Sequence, residues 1–136
     1  MEKYLVGCIV LITVGYMFFL KPAAARSVSA TKNQQLEAKV ESMIANNDAV
    51  MFSKSYCPYC KKAKAQFVAA HQTFKEYQLD KQPDGMAIQA YLLTKTGQRT
   101  VPSIWIYQKF MGGSSDLAKI NLSDYFKQHK TPNAEL

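Results

Sequence analysis

Hydrophobic and polar positions divide the chain into an apolar stretch followed by a patterned domain. From Tyr4 to Leu20 seventeen residues carry no formal charge, are rich in Leu, Ile, Val and Phe, and lie between Lys3 and Lys21. A buried core helix of that length would show a polar face, and none interrupts the run; the segment suits a membrane. It is slightly long for the apolar region of a signal peptide and slightly short for a relaxed span, because roughly twenty residues rising 1.5 Å each cross about 30 Å of hydrocarbon. Both readings stay open. Small residues at Ala23-Ala24-Ala25 or Val28-Ser29-Ala30 offer a cleavage site, and without cleavage the segment is a single-pass anchor. Residues 1–30 are read as signal peptide or membrane anchor plus linker, and residues 31–136 as the globular domain.

Beyond the linker the spacing becomes helical. Leu36, Val40, Met43 and Ile44 share one face of a helix that Asn46-Asn47-Asp48 ends. Val50-Met51-Phe52 is a compact apolar run suited to a buried strand. Cys57 and Pro58 can form the N-cap and first residue of a helix over Tyr59 to Ala70, since proline lacks only an amide hydrogen that would be orphaned there. Thr73 to Leu79 alternates imperfectly and is a weaker strand. Ile88, Tyr91 and Leu92 mark a helix from Asp84 to Lys95, closed by a left-handed Gly97. Ser103 to Tyr107 is a β-branched and aromatic strand that Lys109-Phe110-Met111 can join across a tight turn, with Gly112-Gly113 ending the hairpin. Ser114 or Ser115 with Asp116 can cap a short helix with Leu117 and Ile120 inward, and Leu122, Tyr125 and Phe126 mark a last one. The order α, β-α-β, α, β-β-α predicts an α/β fold, a small mixed sheet flanked by helices.

Composition narrows the chemistry. At 48% hydrophobic and 20% charged residues, the 136-residue chain is neither a disordered polyelectrolyte nor a multi-span membrane protein. Its net charge of +7 is dispersed, with no aromatic-studded basic stripe, which argues against nucleic acid and suits small anionic thiols or acidic proteins. Three cysteines are too few to staple a secreted fold. Cys8 lies in the apolar run as a filler, and Cys57 and Cys60 stand at C-x-x-C spacing, which points to redox chemistry or half of a metal site. A zinc site needs about four ligands. Apart from this pair there are only Cys8, His71 and His129, so no metal is expected, and both histidines read as solvent-facing. Phe52 and Trp105 read as core.

In a C-x-x-C that starts a helix, the first sulfur sits where free amide hydrogens and the positive end of the helix dipole converge, which stabilises thiolate over thiol. Cys57 is therefore the expected nucleophile and Cys60, one turn in, the resolving thiol. Lys54 adds positive charge, with Lys61 and Lys62 as weaker background. Spacing alone leaves thioredoxins and disulfide isomerases open.

The run Phe52-Ser53-Lys54-Ser55-Tyr56-Cys57-Pro58-Tyr59-Cys60, then Thr100-Val101-Pro102, then Gly112-Gly113-Ser114-Ser115-Asp116-Leu117, resembles the dithiol glutaredoxins in three separated motifs of matching order and spacing. The resemblance covers about residues 34 to 129. With its apolar N-terminus the chain is similar to the secretory-pathway glutaredoxins of fungi and plants. The resemblance implies a thioredoxin-like fold with four strands and a cis Val101-Pro102 turn facing the cysteine helix. It implies glutathione as co-substrate, with Val101 pairing with its cysteinyl unit beside Pro102, Lys54, Gln89 and Arg99 holding the glycine carboxylate, Tyr59 lining the groove, and Ser115 with Asp116 taking the γ-glutamyl end. One departure stands out: Tyr107-Gln108-Lys109-Phe110 occupies the hairpin where members carry an Asn-Gly type turn.

The reading that follows is a glutathione-dependent thiol–disulfide oxidoreductase acting on glutathionylated or disulfide-bonded proteins as a monomer. The alternative is a dimeric scaffold holding a glutathione-ligated [2Fe–2S] cluster on the first cysteine of each copy, against which Pro58 counts, since cluster-binding members carry a smaller residue there. An oxidising catalyst of the secretory lumen would use the same thiols with the opposite electron flow. Location in the secretory pathway follows from the apolar segment, membrane-bound or lumenal. Lys21, Arg26 and Lys32 against Lys3 also allow a cytosol-facing anchor. Asn121-Leu122-Ser123 is a glycosylation sequon that only a lumenal domain could use, and Ala134-Glu135-Leu136 faintly echoes a retention signal.

Overall fold

A computed structural model describes residues 27–130. The apolar run at 4–20, Cys8 and the C-terminal tripeptide lie outside the described residues. Among the described residues no helix is long and apolar enough to cross a membrane. The order is α1 (Ser27–Ala45), β1 (Ala49–Ser53), α2 (Pro58–Ala69), β2 (Lys75–Gln78), a 3-10 turn (Leu79–Lys81), α3 (Gly85–Thr96), β3 (Ser103–Ile106), β4 (Lys109–Gly112), α4 (Ser114–Leu117) and α5 (Leu122–His129). The compact unit that holds the sheet begins at Gln34.

The sheet runs β2-β1-β3-β4, with β1 parallel to β2 and antiparallel to β3, and β3 antiparallel to β4. Every residue of β1 is buried, as expected of a strand covered on both faces. Period-two alternation sends Ala49 and Met51 with Ile104 and Ile106 to one face, where they pack on Ala63 and Phe67 of α2, Leu117, and Leu122 and Phe126 of α5. Val50, Phe52 and Trp105 face the other way, onto Val40 and Ile44 of α1, Leu79, and Ile88 and Leu92 of α3. The fold is thioredoxin-like, a four-stranded mixed sheet between helices. Phe52 and Phe67, with no exposed surface, each contribute about 1.5–3 kcal/mol by burial.

Three details depart from expectation. Helix α1 starts at Ser27, within residues read as linker; residues 31–35 are exposed all round, so that turn carries no apolar stripe to betray it. Strand β3 ends at Ile106, because Tyr107 (φ 47°) and Gln108 (φ 65°) form a left-handed two-residue turn. That geometry matches the twist of a hairpin and favours Asn-Gly, so two ordinary residues hold it at some cost. Helix α4 is capped by Gly113, with Ser114 and Ser115 inside it, and its Asp116 carboxylate accepts from the Gly113 N–H at 3.2 Å.

Candidate active site

The cysteines sit where β1 hands over to α2. Cys57 is the N-cap of α2 in extended conformation and Pro58 its first residue, so the chain enters the helix with the Cys57 sulfur facing the free amides of the first turn. The Cys60 N–H donates to Cys57 Sγ at 3.3 Å. On the other side, Cys57 Sγ lies 3.7 Å from the Val101 carbonyl, and the Val101-Pro102 bond is cis. Both thiols are free. Cys57 is 8% exposed and Cys60 1% exposed, a difference that decides which sulfur meets a substrate. Burial, reinforced by the hydrogen bond with Cys57, pushes the Cys60 thiol up to about 12. It stays protonated at neutral pH.

Two loops frame the sulfur, and polar side chains hold both. Asp80 accepts the Ser55 N–H at 2.9 Å and the Ser55 hydroxyl, fixing the segment before Cys57; the hydroxyl is the main reason its carboxyl lies below the usual range. Gln98 Nε2 donates to the carbonyls of Thr100 and Pro102, each at 2.9 Å, and Gln89 Nε2 donates to the Arg99 carbonyl at 2.9 Å. The turn carrying Val101 and Pro102 is therefore tied down on both sides. Gln66 of α2 donates to the Ser114 carbonyl at 3.2 Å, joining the cysteine helix to α4. Gly112 has φ 89°, and a Cβ there would lie 2.5 Å from Asp116 Oδ2, so glycine is required. Among the described residues no group of three or more His, Cys, Asp or Glu could hold a metal ion.

The Glutaredoxin family model matches residues 49–111. Glutaredoxin-2 of Schizosaccharomyces pombe is 49% identical over 87 residues, 64% of this chain and 79% of that protein. Glutaredoxin-C6 of Oryza sativa subsp. japonica is 42% identical over 84 residues, 62% of this chain and 75% of that protein. The chain belongs to the glutaredoxin family. It is a thiol–disulfide oxidoreductase that uses glutathione as co-substrate. Among solved structures it is similar to a buckwheat glutaredoxin–glutathione complex, with a TM-score of 0.63 and 37% identity over 65% of this chain and 81% of that one.

Within this glutaredoxin domain the expected contact residues are distributed unevenly. Val101 adjoins the Cys57 sulfur and Pro102 is buried behind it. Lys54 accepts the Cys57 N–H through its carbonyl at 3.2 Å, and its side chain has no carboxylate partner among the described residues. Arg99 is exposed and linked to Gln89. Tyr59 is 57% exposed, its ring 5.3 Å from the Lys62 ammonium. Ser115 is exposed, but Asp116 is already engaged, by Lys119 at 2.9 Å and by the Gly113 N–H; the lysine first and the amide second hold its carboxyl below the usual range. His71 and His129 are exposed, and Trp105 and Phe52 are core. Sequence reasoning missed Gln98, Asp80 and Gln66, which hold backbone groups, Gln98 within its own loop and the other two across the sequence, and carry no motif of their own.

Proposed function

We propose that Cys57 is the nucleophile and Cys60 the resolving thiol of a dithiol glutaredoxin. The observation that carries this is the Cys57 sulfur, held between the Cys60 amide and the Val101 carbonyl while Cys60 is sealed beneath it. Cys57 thiolate attacks the glutathione sulfur of a protein–glutathione mixed disulfide. A Cys57–glutathione disulfide forms, the original disulfide breaks, and the substrate sulfur leaves as a thiolate that takes a proton from solvent. A second glutathione thiolate then attacks the glutathione sulfur on Cys57, giving glutathione disulfide and regenerating Cys57. With a protein disulfide, Cys57 attacks one sulfur and Cys60 must lose its proton to displace the substrate and close Cys57–Cys60. The monothiol route does not depend on Cys60, because a second glutathione supplies the resolving thiolate.

The residues present fit glutathione. The Val101 backbone can pair with the cysteinyl unit beside Pro102, Lys54, Arg99 and Gln89 meet the glycine carboxylate, and Tyr59 flanks the groove. Ser115 and Asp116 receive the γ-glutamyl end, where the ammonium group must share Asp116 with Lys119. The [2Fe–2S] scaffold draws no specific support from the family comparisons. The apolar segment at residues 4–20 supports a membrane-associated domain of the secretory pathway. Asn121 is exposed as the N-cap of α5, and its side-chain Oδ1 accepts from the Asp124 N–H at 3.3 Å, which leaves its side-chain Nδ2 available for a glycan. Protease protection in sealed membranes, with glycosidase treatment alongside, tests location: a digested domain refutes a lumenal one.

The chemical test is the turnover of a glutathionylated protein by the Cys57→Ser and Cys60→Ser variants. Loss of Cys57 should reduce the rate to background, and loss of Cys60 should leave deglutathionylation intact while abolishing reduction of protein disulfides that requires both thiols. Full activity in Cys57→Ser would refute the assignment.

A further inference from the structure

The charges around the cysteine end are one-sided. Between residues 49 and 75 the chain has no Asp or Glu but carries Lys54, Lys61, Lys62, Lys64 and Lys75; between residues 85 and 115 there is again no acid, with Lys95, Arg99 and Lys109 present. These two stretches supply α2 and the Val101-Pro102 turn, the two walls around Cys57. Of the carboxylates around them, Asp48 lies before β1, at the far end of that strand from Cys57, and the others are engaged: Glu76 with Lys64, Asp80 with Ser55, Asp84 with Lys39 and Asp116 with Lys119. Lys54, Lys61, Lys62 and Arg99 have no carboxylate partner among the described residues.

Lys61 lies one helical turn beyond Cys57, its N–H donating to the Cys57 carbonyl at 3.3 Å, and both Lys61 and Lys62 are exposed. Tyr56 is 70% exposed immediately before the nucleophile. An exposed aromatic side chain in the same segment as cations that lack a carboxylate partner offers a partner apolar contact and charge complementarity together. Glutathione is too small to use all of it: the cations assigned to its glycine carboxylate are Lys54 and Arg99, which leaves Lys61 and Lys62 unassigned.

We propose that Lys61, Lys62 and Tyr56 form a docking surface for protein substrates whose glutathionylated cysteine lies in an acidic segment. The proposal rests on Cys57 being the nucleophile. Carboxylates flanking the substrate cysteine meet the first exposed turns of α2, and the attraction raises the encounter rate and falls with ionic strength.

The test uses the full chain and three glutathionylated peptides that differ only in the residues flanking cysteine, Asp and Glu, Asn and Gln, or Lys, with the glutathione–mercaptoethanol disulfide as a small substrate. For the wild type, kcat/KM should rank acidic above neutral above basic, and added salt should compress the ranking. K61E/K62E should lower the ratio of kcat/KM on the acidic peptide to that on the neutral peptide by about tenfold, with the milder K61Q/K62Q falling between and the small disulfide reporting the general loss from removing background charge near Cys57. Equal wild-type rates on acidic and neutral peptides would overturn the proposal, as would an equal loss on every substrate, which would make the lysines glutathione contacts. Full turnover of the small disulfide by Cys57→Ser would remove the nucleophile and the proposal with it. An absent acidic preference with a normal Cys57 dependence would remove the docking surface alone.

Discussion

The two ends of the sheet solve the problem of irregular backbone in different ways. At the cysteine end, side chains hold the loops: Asp80 holds Ser55, Gln98 holds Thr100 and Pro102 of its own loop, and Gln89 holds Arg99. At the opposite end, the Tyr107-Gln108 turn stands in the left-handed region, secured by the Tyr107 N–H donating to the Asp48 carbonyl at 2.7 Å and by Tyr107 packing on Phe126. That end also carries a hollow of about 290 Å3 lined by Asp48, Gln72, Thr73, Tyr107, Phe126, Lys127 and Lys130. What marks the active site is a sulfur with an amide donor on one side, a carbonyl on the other and a braced backbone around it.

The largest effect on this contrast should come from Gln98→Ala. It strips the Thr100 and Pro102 carbonyls of their shared donor, at a cost of roughly 1–3 kcal/mol for a group left unsatisfied. Because the cost falls on the turn that carries Val101, KM for glutathione should rise while global unfolding by denaturant moves less; an unchanged KM would show that the brace is dispensable.

A smaller effect separates the ends by pH. Burial alone would raise the Glu76 carboxyl, but Lys64 and then Ser53 outweigh it and hold it below its ordinary 4.5. A depressed carboxylate stabilises the fold fully above about pH 4.5 and loses that contribution as pH falls through the lower folded value. Glu76→Gln should therefore flatten the acid limb of a Tm-against-pH curve and cost about 1 kcal/mol at neutral pH. An identical acid limb would remove this pair from the account.

The smallest effect belongs to the far end. Replacing Tyr107 by Asn and Gln108 by Gly relieves two left-handed residues, worth about 0.5–1 kcal/mol each, against the loss of the Tyr107–Phe126 contact. A small net change in Tm with unaltered kcat/KM is expected. A change in activity would mean that the two ends are coupled.

Much of this fold could be read from periodicity, and the reasons differ by element. Val40, Ile44, Ile88, Leu92, Phe67 and Phe126 follow helical spacing because each packs one stripe on a strand. The α3 C-cap at Gly97 (φ 74°) is legible because only the permissive residue sits there easily. The hairpin was legible but its left-handed geometry was not, since Tyr107 and Gln108 are not residues that announce positive φ. The first turns of α1 were hidden because no apolar stripe marks them. At the active site the cysteine pair and the Val-Pro turn stood in motifs, but Gln98, Asp80 and Gln66 act through hydrogen bonds to backbone or hydroxyl groups, those of Asp80 and Gln66 to partners that only the folded chain brings within reach.

The central claim is that two cysteines three residues apart have opposite fates, Cys57 reachable and Cys60 sealed and protonated. Timed alkylation of the native, reduced full chain at neutral pH, with each site followed by peptide mass mapping, reads this directly and separates Cys8 from the pair. Cys57 should label first, with Cys60 unlabelled until denaturant is added. Labelling of Cys60 at the rate of Cys57 would contradict the account.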